Sequence, residues 1–263
     1  MSAAEFTRRK LEPVGKTAFR LGISCTFGID PEGLSAAFER GVNYLFWTKL
    51  RTGKVRDTVR AALKKDRERF VVVAAPSVAF FGGNVRRGAE RSLKALGTDY
   101  LDVLHLPWMG RASAWTASTL EEVARLKSEG KVRAMGISIH DRPRAAKLAQ
   151  DPKLGVLMIR YNAAHPGAER DIFPSFAQRR PAVVAYTATS WRKLLRPPSG
   201  WKGPAMTAGD CYRFCLSSPN VDVTLFGPAN RAQLEEDLAA LEKGPLTAEE
   251  DRWMREYGRA VRG

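Results

Sequence analysis

Short runs of strand-forming residues alternate with amphipathic helical stretches along the chain. Eight runs carry the period-two pattern or the β-branched density of buried strands, at 19–25, 42–47, 70–75, 100–106, 133–139, 156–162, 182–188 and 222–226. Apolar residues at helical spacing fill the stretches between and after them, at 31–40, 54–65, 84–96, 119–128, 142–150, 168–178, 208–216 and 231–241. Asp30 before Pro31 predicts one helix start, and Thr119 ahead of Glu121 and Glu122 predicts another. Gly97 and Gly130 mark helix ends. Strands separated by helices pair in parallel through right-handed crossovers, and eight such units in 263 residues predict an α/β chain closed into a (β/α)8 TIM barrel. No break in composition divides it, so residues 1–263 are read as one barrel domain. The longest irregular stretch, 190–207, follows the seventh strand on the face where such barrels carry their sites, and is read as a lid, a cofactor clasp or a disordered insertion.

Composition narrows the classes of function. The chain is 44% hydrophobic, enough for a sizeable core, and has no apolar run of membrane-spanning length and no signal-peptide pattern. A cytoplasmic chain with no membrane partner is expected. Three cysteines without a CxxC pair suit a reduced compartment, and Cys211 and Cys215, on one helix face, read as core. The net charge of +15 attracts anions, but the basic residues are spread over many helices (Arg86, Arg87, Arg91 and Lys94; Arg142, Arg144 and Lys147) with no nucleic-acid motif beside them. A small anionic or aromatic ligand is the expected partner, with no specific nucleic acid.

The segments LGTDYLDVL, EGKVRAMGIS, IRYNAAHPGAE, AVVAYTA and LFGPANRAQLEEDLAAL follow one another in the order and spacing of the aldo-keto reductases, and GVNYLFWT is similar to that family's second-strand segment. The resemblance covers nearly the whole chain. It implies a barrel that binds NADP(H) across its mouth and reduces carbonyls by hydride transfer.

The same resemblance implies four acid-site positions: an Asp ending strand two, a Tyr soon after it, a Lys ending strand three and a His ending strand four. Here they fall on Phe46, about Arg51, Pro76 and Pro107, and no tyrosine occurs between Trp47 and Asp57. At the cofactor positions Ser138 matches the serine at the nicotinamide amide, and Tyr186 matches the ring on which nicotinamide stacks. Ile139 and Met158 depart from the family's Asn and Gln. In the last unit Gly227, Asn230, Leu234 and Glu236 follow the pattern, Asp237 replaces an Asn, and Arg231 is the basic residue available to a 2′-phosphate. Dinucleotide binding therefore stays open.

Other chemistry is also offered at the strand ends. His105, His140 and His165 fall in or just after strands four, five and six, and His105 sits on the interior face two residues before the family's His position. No carboxylate or cysteine spacing supports a metal, and none is expected. Trp47, Lys49, Arg51, Trp108, Arg160, Tyr161 and Trp191 are read together as a basic, aromatic mouth suited to a flat anion. His105, Lys49 and Arg160 are the catalytic candidates. Three functions remain open: an altered or vestigial NADP(H)-linked oxidoreductase, a ligand-binding or regulatory barrel, and an enzyme without nicotinamide built on His105, His140 or Lys49.

Overall fold

A computed structural model describes residues 3–76, 82–107 and 115–263. The chain opens with a short helix, α1 (Ala3–Thr7), and an antiparallel hairpin of β1 (Arg8–Leu11) and β2 (Lys16–Phe19). The repeating units follow as β3 (Leu21–Ser24), α2 (Pro31–Glu39), β4 (Tyr44–Thr48), α3 (Arg56–Lys65), β5 (Val71–Ala75), α4 (Gly82–Leu96), β6 (Leu101–Leu106) and α5 (Ala117–Ser128). The second half runs β7 (Val132–Ile139), α6 (Arg142–Ala149), β8 (Leu154–Arg160), α7 (Ala168–Asp171), β9 (Ala182–Tyr186), α8 (Ala208–Ser217), β10 (Val223–Phe226), α9 (Arg231–Glu242) and α10 (Ala248–Arg262). Strands β3 to β10 pair in parallel and in sequence order, and β10 closes on β3. This is the predicted (β/α)8 barrel. The opening hairpin and α10 are additions to the predicted elements.

The strands are apolar on both faces because both are covered. Outward residues such as Leu45, Trp47, Leu104 and Leu106 join the large core under the helices. Inward residues, including Tyr44, Val73, Val103, Val156 and Val184, fill the barrel, and Leu11, Val14 and Ala18 of the hairpin plug its lower end. Asp30, Asp141 and Asn230 cap α2, α6 and α9 by accepting hydrogen bonds from backbone N–H groups in the first turn. The cap of α5 is Thr116 rather than a residue at 119, and Thr119 is buried three residues inside. The predicted helix at 168–178 breaks into α7 and a 3-10 turn at Phe173–Ala177, since Pro174 lacks the N–H that a continuous helix needs there.

The lower end is held by buried ions. Asp102 is fully buried, accepts from Val72 N at 2.8 Å and Arg67 Nη2 at 2.9 Å, and lies 3.1 Å from Lys16 Nζ. Arg20 is also buried and donates to the carbonyls of Phe6, Leu216, Val221 and Asp222. No described helix is long and apolar enough to cross a membrane.

Candidate functional site at the barrel mouth

The pleat decides which residues face the mouth. Tyr44 and Phe46 pack inside the barrel while Leu45 and Trp47 pack outside, so the next inward position on β4 is Thr48. On the same reasoning the upper interior layer receives Ser24, Thr48, Ser138, Arg160 and Tyr186. Thr26 and Thr48 share a hydrogen bond of 3.2 Å between their hydroxyls, joining the loop after β3 to the end of β4. Arg160 and Tyr186 are register partners on β8 and β9, and Ser138 pairs with Met158 one step before. Three neighbouring strands thus bring Ser138, Arg160 and Tyr186 to one mouth.

Tyr186 is half-buried, and its hydroxyl lies 2.8 Å from Nε2 of His140, just beyond the end of β7. Burial pushes the Tyr186 phenol up to about 12 while Arg160 opposes the shift. His140 is lowered, by burial first and then by Arg160. The phenol is therefore protonated and the imidazole mostly neutral at pH 7, and the tautomer of His140 decides which of the two donates. Asn162 is fully buried, donates from Nδ2 to the carbonyl of Thr187 at 2.8 Å and accepts from His165 N at 3.0 Å, tying the loop after β8 to the loop after β9.

His105 lies one layer below the mouth. It is 1% exposed, its ring packs edge-on against Phe46 at 5.5 Å between centroids, and neither ring nitrogen has a hydrogen-bond partner among the described residues. Burial lowers its pKa to about 3. Lys49 is exposed on the rim, and Arg51 beside it is also exposed. The basic, aromatic cluster is smaller than the sequence suggested. Trp47 points outward into the helix core, and Tyr161 is buried between Phe173 and Phe214 with its hydroxyl on Glu169. Trp108 lies outside the described residues. Arg160 and Trp191 remain in contact at the rim, with the guanidinium carbon 5.8 Å from the ring centroid.

Two further features mark this face. Among the described residues, the non-glycine positions with left-handed backbone, Arg51, Thr187, Ser190, Trp191 and Arg192, lie in loops after β4 and β9. Among the described residues the exposed large hydrophobics, Phe27, Leu50 and Trp191, also lie in mouth loops. Strain and exposed apolar surface collect where stability does not ask for them. Among the described residues no three His, Cys, Asp or Glu side chains come together as a metal site.

Residues 31–191 match the sequence profile of the Aldo/keto reductase family. The chain belongs to the aldo/keto reductases. Among its curated relatives are methylglyoxal reductase YeaE of Escherichia coli, 29% identical over 168 residues that make up 62% of this chain and 58% of that protein, and an NADH-specific methylglyoxal reductase of the same organism. The latter is 29% identical over 106 residues, 40% of this chain and 32% of that protein. The matches therefore span between a third and three-fifths of the relatives' own length. In fold the barrel is similar to the holo form of an aldo-keto reductase from Bacillus halodurans, with a TM-score of 0.81 and 21% identity over 98% of this chain and 99% of the other. A glycerol dehydrogenase from Gluconobacter oxydans gives 0.76 at 16% identity over 98% and 97%.

Aldo/keto reductases typically use NADP(H), and the residues present suit its two ends unequally. Of the residues that the resemblance assigns to the nicotinamide, Ser138 and Tyr186 lie on the two strands that flank β8, and Ser190, in the loop after Tyr186, keeps a fully buried hydroxyl with no hydrogen-bond partner among the described residues. Such an orphaned group fits a ligand that reaches the loop. At the adenine end the aldo/keto reductase pattern is occupied by packing. Asn230 spends its side-chain oxygen on the Gln233 N–H, Leu234 is fully buried and Asp237 is 3% exposed. Gly227 lies under the ring of Phe27, which a Cβ there would strike. Arg231 and Glu236 are exposed on α9.

Proposed function

We propose that this aldo/keto reductase barrel holds a nicotinamide dinucleotide by its nicotinamide end, and that carbonyl reduction by the family's four-residue acid site has been lost or altered. Ser138 and Tyr186 would hold the ring, with Arg160 beside it for an anionic group. When bound, the cofactor supplies a hydride. The oxygen that receives charge during such a reduction needs an acid, typically worth 10² to 10⁴ in rate. The observation that carries the proposal is the occupancy of the acid positions given by the resemblance. Phe46 packs on His105. Arg51 is exposed in left-handed backbone. Pro76 packs against α4, where a Cβ at Gly88 would collide with its ring. Pro107 directly follows β6 and brings no side-chain donor.

Calorimetric titration with NADPH and NADP⁺ tests the cofactor half. Binding of about micromolar Kd that weakens on Tyr186→Ala is expected, and absence of heat with either nucleotide would sink it. Turnover of methylglyoxal and a panel of aldehydes and quinones tests the other half, and rates typical of ordinary reductases would refute the loss. The hydrogen bond between Tyr186 and His140 favours a second reading, acid–base chemistry without nicotinamide. That reading requires an activity that His140→Ala abolishes and that persists without nucleotide.

A further inference from the structure

In sequence the cations of α4 look scattered, but the fold sorts them by helix face. Arg86 and Glu90, one turn apart, face α5 and the turn after it, where Arg86 pairs with Glu122 and Glu129, and Glu90 with Lys131. Arg87, Arg91 and Lys94 form the next stripe of the helix, all exposed, and none of them meets a carboxylate among the described residues. On α3, Arg60, Lys64 and Lys65 are exposed and equally without a carboxylate. The one acid of α3, Asp57, pairs with its neighbour Arg56 at 3.6 Å. Glu90 is the one acid of α4, so both acids of the two helices are taken up elsewhere.

The two helices are neighbours in the ring around the barrel. Arg60 Nη1 donates to the carbonyls of Lys94 and Ala95 at 3.3 Å, which carries the row on α3 across to the last turn of α4. Residues four apart stand about 6 Å apart along a helix, and packed helices lie about 8–10 Å apart. Six cations therefore share one face in two rows. Arg87 bonds to Asn84, and Arg91 to the Arg87 carbonyl at 3.0 Å, contacts that hold both guanidinium groups and leave most of their five donors open. Asp66 and Asp99 come after the last turns of the helices, outside both rows.

We propose that this face binds the phosphate backbone of duplex nucleic acid without reading its sequence. A duplex carries about one negative charge per 1.7 Å of its axis, and cations that neutralise those charges release condensed counterions. The two helices contain no aromatic side chain, so they offer the bases of a single strand no stacking platform. Their large apolar residues, Val59, Leu63, Val85, Leu93 and Leu96, are buried in the core, which leaves nothing to insert into a lipid surface. Contacts to phosphate alone supply affinity and no base readout. The face lies on the flank of the barrel, and the inference does not depend on what the mouth binds.

The probe is an end-labelled DNA duplex of mixed sequence, titrated with the full chain and followed by fluorescence anisotropy. A Kd of about 1–100 μM at physiological salt is expected, with log K falling against log salt at a slope of about −4 to −5 for about five contacts. The triple variant Lys64→Gln/Arg87→Gln/Arg91→Gln should weaken binding about tenfold or more and make the slope shallower by about 2–3. Lys127→Gln/Lys147→Gln/Lys153→Gln removes the same charge from the flank of α5 and α6 and should leave both values close to the parent's. All six side chains are exposed, so the thermal midpoints should stay with the parent and the loss reads as binding. Equal weakening by the two variants would reduce the effect to net charge and overturn the proposal. Absence of duplex binding overturns it, as does tighter binding of the single strand than of the duplex. Binding of phosphatidylserine vesicles in place of the duplex would move the face to a membrane and overturn it too.

Discussion

His105 is a titratable ring in an apolar layer, and its energetics follow from that alone. Phe46 covers it, and a Cβ at Gly136 would lie 2.7 Å from its Nδ1. With a folded pKa of about 3 against about 6.5 in the unfolded chain, the unfolded state binds more protons below pH 6.5. Stability is therefore full above pH 6.5 and falls by about 1.4 kcal/mol per pH unit on acidification toward pH 3. His105→Leu should flatten that fall by about 2 kcal/mol between pH 7 and pH 5, read from urea unfolding at the two values. Parallel pH dependence in parent and variant would show that the ring is not held neutral by burial. Gly136→Ala should cost about 1–3 kcal/mol by overpacking the same layer, measured the same way at pH 7. The interior direction of His105 was legible in its spacing from Pro107. Its lack of polar partners was not, because that depends on Phe46 and Gly136 from other strands.

Helix α9 illustrates what an element's pattern does and does not disclose. Leu234, Leu238 and Leu241 form its buried stripe, as helical spacing requires, and Asn230 caps its start. Asp237 interrupts that stripe. Burial raises its carboxyl to about 7, with Glu236 adding repulsion, and it faces Cys211 and Tyr212 of α8, whose own pKa values burial raises. The folded chain thus keeps a proton on Asp237 that the unfolded chain releases near pH 4. Stability from this group is present below about pH 4 and lost as pH rises to 7. Asp237→Asn should stabilise by roughly 4 kcal/mol at pH 8 and by little at pH 4, seen in paired denaturation curves. An equal gain at both values would contradict the assignment. Elements with local signals, such as α2 behind Asp30-Pro31 and the turns at Gly97 and Gly130, were legible from sequence. The break after α7 was also written there, as Pro174, but apolar spacing outweighed it in the reading.

Across the whole molecule the two ends of the barrel divide the labour. The lower end carries the hairpin plug and the buried ions around Asp102 and Arg20, and the upper end carries the left-handed loops and exposed aromatics. Arg20→Met should cost about 3–5 kcal/mol, because it strands four buried carbonyls that join the first turns of the chain to the segment before β10. A thermal melt and urea titration would measure that loss, and a variant as stable as the parent would show that the carbonyls find other donors. Sequence by itself determined the barrel and its family, because strand and helix periods are local and the order of the units admits few topologies. The inner and outer faces of each strand were decided only by tertiary structure. Both faces are apolar in a covered parallel barrel, so nothing in the run YLFWT says that Phe46 points to the mouth and Trp47 to the helices. The pairing of Tyr186 with His140 and the hold of Asn162 on Thr187 join residues 46 and 25 positions apart. Closure of the barrel brings them within reach, and local pattern carries no record of it.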